Sequence, residues 1–159
     1  MADGNHWFIA VVTPNTEKSC RDKLDKLFEI LNKEKKYDES EDDDRKVISY
    51  VPIQRELHVW KSTGKRVWVD KVLCPCYVFI RCSDEDRFDI ACRAKFILHF
   101  MMDRARITKD GRSDFARIPN SQMDNFRKMV GNAERPVSID FLGSARTEYP
   151  IELHELVEG

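Results

Sequence analysis

Leu73-Cys74-Pro75-Cys76-Tyr77-Val78-Phe79-Ile80-Arg81-Cys82 is the stretch on which the reading of the chain turns. Successive side chains of a strand point to opposite faces, so Tyr77 and Phe79 share one face and Val78 and Ile80 the other. Both sets are apolar, which predicts a strand inside a sheet. His6-Trp7-Phe8-Ile9-Ala10-Val11-Val12 is a second such run, without polar alternation, and predicts a central strand. Trp7, Ile9 and Val11 have the parity of Tyr77 and Phe79. Large apolar groups paired on one sheet face stack on bases, meet an apolar protein surface, or are covered by the chain's own helices.

Outward from these strands the punctuation is regular. Pro14-Asn15-Thr16 ends the first strand, and Asn15 or Thr16 is placed to cap a helix whose stripe is Cys20, Leu24, Leu27, Phe28 and Leu31. Polar residues follow from Asn32 to Arg45. The acidic run Glu39-Ser40-Glu41-Asp42-Asp43-Asp44 predicts a mobile acidic loop over about 34–45. Lys46 to Ile53 reads as a strand closed by Pro52. Leu57-His58-Val59-Trp60 and Arg66-Val67-Trp68-Val69 read as a hairpin around Lys61-Ser62-Thr63-Gly64-Lys65, with a basic tip.

Ser83-Asp84-Glu85-Asp86 has the form of a capped helix start, continued by Phe88, Ala91 and Cys92. Ile97 to Met102 is a further strand and Asp110 to Asp114 a loop. Pro119-Asn120 opens a helix carrying Met123, Phe126, Met129 and Val130, which Gly131 is expected to end. The predicted order is β-α-β-hairpin-β-α-β-α over 1–136, one domain. The stretch 137–159 reads as a tail or linker.

The 159 residues are 42% hydrophobic and 35% charged, a composition that supports a packed core without staples. No apolar run approaches the roughly 18–20 residues of a membrane span, and Met1 to Asn5 does not start like a leader, so a cytoplasmic protein is expected. The five cysteines are odd in number and clustered near one strand, which suits small core residues in a reducing compartment; no metal is expected. The net charge of −1 conceals a split. Residues 45–135 hold 19 Lys and Arg against 11 Asp and Glu, while the flanks are acidic. A basic body of this kind suits a position near nucleic acid.

Nothing offers a seat for catalysis. A phosphate-cradling glycine loop, a dinucleotide fingerprint and a nucleophile elbow are all missing, and His6, His58, His99 and His154 fall in separate elements. An enzyme is not expected, nor a cofactor, nor a small-molecule substrate.

Several motifs, in order, resemble the N-terminal domain of the NusG family. These are the aromatic opening strand Trp7 to Val12, the helix start Thr16-Glu17, Val51-Pro52, the hairpin with Gly64-Lys65-Arg66, and Leu73 to Ile80. Ile97-Leu98-His99-Phe100 and Ala116-Arg117-Ile118-Pro119 extend the likeness to about Pro136. It is nearest to the specialised paralogues of the UpxY type. Where the family carries Phe-Pro-Gly-Tyr-Val, this chain has Cys74-Pro75-Cys76-Tyr77-Val78. The family's following KOW-type β-barrel, with its closely spaced glycines and valines, is not recognisable in Phe141 to Gly159.

The resemblance implies an α+β fold, a mainly antiparallel four-stranded sheet with a projecting hairpin and about three flanking helices. It implies a transcription elongation and antitermination factor that binds the clamp helices of the largest RNA polymerase subunit through an apolar concavity. Trp7, Ile9, Cys74, Tyr77 and Phe79 would line that concavity. Arg87, Phe88 and Asp89 would face the gate loop of the second large subunit. Arg21, Lys61, Lys65 and Arg66 are candidate contacts to upstream or non-template DNA. The rival reading is an RNA-binding α/β sandwich stacking bases on Tyr77 and Phe79. Against it, Cys76 to Arg81 lacks the glycine-flattened basic strand pattern of such modules.

Overall fold

The computed structural model describes residues 4–41 and 45–132, together with the backbone of 138–139, 144–146 and 151–152. Its centre is the predicted pair of apolar strands. β1 (His6–Val11) and β5 (Tyr77–Cys82) run antiparallel in full register, from His6 opposite Cys82 to Val11 opposite Tyr77. β2 (Ile48–Tyr50) adds to the far side of β5, and β6 (His99–Phe100) to the far side of β1, giving the order β2-β5-β1-β6 with every neighbour antiparallel. The two inner strands are buried on both faces, which is why neither shows polar alternation.

One face carries Phe8, Ala10, Val78, Ile80 and Cys82. It is covered by α1 (Glu17–Glu34), through Cys20, Leu24, Phe28 and Leu31, and by α2 (Asp84–Arg93), through Ile90. The other face carries Trp7, Ile9 and Phe79 beneath α3 (Asn120–Asn132), whose Met123, Phe126 and Val130 close over them. Burying each such side chain contributes about 1.5–3 kcal/mol. The arrangement is α+β, three helices on the two faces of a four-stranded sheet.

β3 (Ile53–Val59) and β4 (Arg66–Val72) form the hairpin, in register from Ile53 opposite Val72 to Val59 opposite Arg66. Gly64 takes φ 66° in the turn, the left-handed conformation glycine adopts without strain. The hairpin is a separate two-stranded sheet, and Leu57, Val59, Trp60, Trp68 and Val69 are exposed on it.

Four local expectations are corrected. Neither Asn15 nor Thr16 caps α1: Thr16 Oγ1 donates to the carbonyl of Thr13 at 2.5 Å, and no side chain caps the helix. The first part of the expected mobile loop is folded, because α1 runs to Glu34 and a single 3-10 turn over Tyr37–Glu39 docks through Tyr37; residues 42–44 of that loop lie outside the described residues. Ile97 to Met102 is not one strand: β6 ends at Phe100, and β7 (Met102–Ile107) turns back as β8 (Ser113–Phe115). Gly131 lies within α3 rather than ending it. The boundary placed at 136 and most of 137–159 lie outside the described residues; β9 (Ser138–Ile139), β10 (Ser144–Arg146) and β11 (Ile151–Glu152) pair there as a small antiparallel sheet.

Polar ties set the helices on the sheet. The expected cap of α2 is present, Ser83 Oγ accepting from the Asp86 N–H at 3.2 Å. Buried Asp86 also accepts from Lys35 Nζ and, at 2.9 Å, from the Tyr37 hydroxyl, joining the end of α1 to the start of α2. Asn32 mimics a strand neighbour: its Oδ1 accepts from Val47 N–H at 2.9 Å and its Nδ2 donates to Val47 C=O at 3.1 Å. Glu17, also buried, accepts from the backbone N–H of Cys76 at 2.9 Å and of Asn15 at 3.3 Å. Cys76 has φ 73°, the left-handed region, at the position where the resembled family carries glycine. Its carbonyl accepts from Val12 N–H at 2.8 Å, so the turn before β5 is gripped from both sides.

Two outcomes follow from these ties. Cys76→Gly is expected to stabilise the fold by about 0.5–1 kcal/mol, because a β-carbon in the left-handed region costs more than the added freedom of the unfolded chain. Glu17→Ala is expected to cost about 1–3 kcal/mol by leaving the Cys76 amide without its acceptor. Urea midpoints at unchanged slope read both, and an unshifted midpoint in Glu17→Ala would remove the carboxylate from this role. The second outcome concerns alkali. Burial and then the hydrogen bond to Asp86 push the Tyr37 phenol up to about 12, and for Lys35 the bond to Asp86 and its charge outweigh the opposing effect of burial, raising the ammonium pKa. Both folded values lie above the unfolded ones, so this stability is fully present below pH 10 and is lost as pH rises through the folded values. Tyr37→Phe should flatten the fall in stability between about pH 10 and 12, measured by denaturant titration at each pH.

Candidate functional site

The sheet face predicted as a binding concavity is divided by α3. Trp7, Ile9, Cys74 and Phe79 are each at most 3% exposed. Phe79 meets Phe126 at 6.0 Å between ring centroids and Tyr50 at 6.4 Å, and Trp7 lies edge-on to Tyr50 at 6.5 Å. The expectation that these four line an open surface is therefore corrected. Alternation assigned them to one face correctly, but α3 needed a face for its own stripe and takes this one. The stacking pair of the rival RNA-binding reading is lost with them, since Phe79 is inaccessible.

Tyr77 differs. It begins β5 and is half-buried beside a depression of about 450 Å³ lined by Val11, Tyr77, His99, Met101, Met102 and Arg104, with Ser113 at its rim. Strand register explains the grouping: Val11 stands opposite Tyr77 on one side and opposite His99 on the other, so the three form a row across β5, β1 and β6. Met101 follows directly, its N–H donating to the Ile9 carbonyl at 2.8 Å. Met102 is 40% exposed and neighbouring Leu98 60%. Burial, followed by the nearby Cys76 and Cys74, raises the pKa of the Tyr77 phenol, which stays a neutral donor at the rim.

The surface is mixed, with Val11, Tyr77, Met101 and Met102 interspersed with His99, Arg104 and Ser113. Methionines re-pack at little cost and a tyrosine offers an apolar body with a polar tip, a combination suited to another protein's helical or sheet surface. Sequence reading missed Met101 and Met102. The signal was present in their position at the end of the apolar run from Ile97, one step from the parity-matched Val11.

The second predicted group is only partly presented. The Arg87 guanidinium lies 3.6 Å from the Phe115 ring centroid and 5.4 Å from that of Phe8, and burial lowers its pKa. Arg87 is half-buried against these rings, so only part of it reaches the surface. Asp89 accepts from Arg93 Nε at 3.2 Å. Phe88 is 68% exposed and is the member that faces outward. Among the basic candidates, Lys61, Lys65 and Arg66 are exposed at the hairpin end beside exposed Trp60 and Trp68, which sequence reading had assigned no role. Arg21 lies elsewhere, on α1 beside β2 and α3.

The cysteines are free thiols. Burial pushes Cys74 up to about 12 and raises Cys82 also, so both are unreactive core groups at neutral pH. Among the described residues no three His, Cys, Asp or Glu side chains are grouped to hold a metal ion, and no helix is long and apolar enough to cross a membrane.

A search among curated proteins finds no match. A family model described as transcription termination factor nusG matches residues 5–127, the span that holds β1 to β8, all three helices' cores and the depression around Tyr77. With well over half of its length matched, the chain belongs to the NusG family of transcription factors.

Proposed function

We propose that this protein is a transcription elongation and antitermination factor of the specialised UpxY type that docks on RNA polymerase through the depression around Tyr77. The observation that carries the proposal is the row Val11, Tyr77 and His99 with Met101 and Met102, a partly apolar patch with Arg104 and Ser113 beside it, left open on a sheet whose faces are otherwise covered. The occupant is the clamp helices of the largest subunit, whose paired helical surface suits a shallow apolar seat more than a deep ligand cleft. In this reading Tyr77 keeps its role, whereas Trp7, Ile9, Cys74 and Phe79 act by supporting it from beneath.

Phe88, exposed on α2, is proposed to reach the gate loop of the second large subunit. Lys61, Lys65 and Arg66 at the hairpin end are proposed to meet phosphates of upstream or non-template DNA, contacts that add affinity without reading sequence. The mechanism needs no covalent step. A factor that binds the closed, elongating polymerase more tightly than the paused one shifts the population toward elongation by that difference in affinity and no further.

The test is capture of purified core polymerase by the full chain. Tyr77→Ala/Met102→Ala is expected to remain folded by circular dichroism and to weaken capture at least about thirtyfold, the loss of roughly 2 kcal/mol typical of a central anchor. Phe79→Ala is expected instead to cost about 3–5 kcal/mol of stability, as a core truncation does. Undiminished capture by the folded double variant would overturn the docking assignment, and binding of RNA in place of polymerase by the wild type would restore the rival.

A further inference from the structure

At the opposite edge of the four-stranded sheet from the Tyr77 depression, along β2, runs a larger groove of about 740 Å³. α1 and α3 lie on opposite faces of the sheet and both line this groove, so the edge strand between them is its floor. Arg21 contributes from α1, Ser49 and Tyr50 from β2, and Asp124, Arg127 and Lys128 from α3. Three cations and the Asp124 carboxylate line it, and at its margin Asp25 accepts from Ser49 Oγ at 2.6 Å.

Some surface cations elsewhere are paired, Lys18 with Asp70, Lys71 with Glu56, Arg93 with Glu34 and Asp89, while others such as Lys61, Lys65 and Arg66 at the hairpin tip stand exposed. In the groove, Arg21 reaches only its exposed neighbour Asp22, at 3.3 Å. Arg127 and Lys128 have no hydrogen-bond or ion-pair partner among the described residues, although Asp124 stands one helical turn before Lys128.

Arg127 is nonetheless fixed. Its guanidinium carbon lies 5.5 Å from the Trp7 ring centroid and 5.4 Å from that of Tyr50. Such contacts hold the cation by its charge while leaving in-plane N–H groups free to donate. A guanidinium packed this way is restricted in part before it binds, which lowers the entropy lost on binding. Its planar fork of donors matches two oxygens of a phosphate, and no carboxylate is bonded to it, although Asp124 lines the same groove. Burial pushes the Tyr50 phenol up to about 12, so its hydroxyl stays a donor beside the fork.

We propose that this groove binds phosphate groups, with Arg127 as the oriented fork and Arg21 and Lys128 as the flanking charges. The phosphates belong either to a polynucleotide backbone or to a free polyphosphorylated compound such as a nucleotide. The site does not rest on polymerase docking, because it lies at the other edge of the sheet and shares no residue with the Tyr77 depression.

The test is a titration of the full chain with inorganic tripolyphosphate, followed by amide NMR. Shifts are expected at Arg21, around Ser49 and Tyr50, and along α3 from Asp124 to Lys128. Arg21→Gln/Lys128→Gln, which changes only side chains at the groove's rim, should weaken binding at least about tenfold, while Tyr77→Ala should leave it unchanged. Arg127→Lys keeps the charge but loses the fork, and should also weaken binding. A short oligothymidylate then separates the two sources. Displacement of tripolyphosphate, with a salt dependence that becomes shallower in the double variant, assigns a polynucleotide backbone; no displacement assigns a free polyphosphorylated compound. Shifts confined to the hairpin tip at Lys61 and Lys65, no shifts at all, or equal affinity in the double variant would overturn the proposal.

Discussion

The pairing of β1 with β5 is the constraint on which the rest of the molecule depends. Two strands carrying large apolar side chains on both faces cannot stand in water, and pairing them, with β2 and β6 on their outer edges, bonds their backbones without covering either face. Two covers are therefore required. The stripe of α1, with Ile90 of α2, supplies one and the stripe of α3 the other. The sandwich is a consequence of sheet geometry, and its two cores do not touch except through the strands themselves.

Apolar burial does not by itself fix where a helix sits along the sheet, and here a few buried polar groups do so. Glu17 ties the start of α1 to the turn that launches β5, Asn32 ties its end to the residue before β2, and Asp86 ties that end to α2. Each is a buried group that finds its partners, so each specifies a position that a uniformly greasy contact would leave free to slide. The turn at Cys76 shows how far this goes: a side chain that disfavours the left-handed conformation is held in it by hydrogen bonds from two elements.

The proposed functional surfaces are what these covers leave over. α3 reaches across Trp7, Ile9 and Phe79 but leaves the row formed by Tyr77, Val11 and His99 open at the end of the strands. At the β2 edge the overhang of α1 and α3 forms the cationic groove. The hairpin, a separate sheet without a cover, keeps Trp60 and Trp68 in solvent beside its basic tip. The depression at the strand ends and the groove at the β2 edge share no lining residue.

The sequence by itself determined the elements whose signal is local. An unbroken apolar run can only be a buried strand or helix segment, so β1 and β5 were legible, and so were the stripes of α1 and α3, the hairpin around Gly64 and the Ser83 cap; on α2 the expected Phe88, Ala91 and Cys92 are exposed and Ile90 faces the core instead. Family membership was legible for the same reason, since the motifs lie in that local order. Which apolar residues stay at the surface was not legible. Tyr77 and Phe79 have the same parity and similar chemistry, and only the reach of α3 makes one a rim residue and the other core. Arg87 and Arg127 look alike as cations, and only the tertiary structure sets each of them against a pair of aromatic rings, Phe8 and Phe115 for one and Trp7 and Tyr50 for the other. Burial and orientation depend on contacts between residues far apart in the chain, and those were decided by tertiary structure alone.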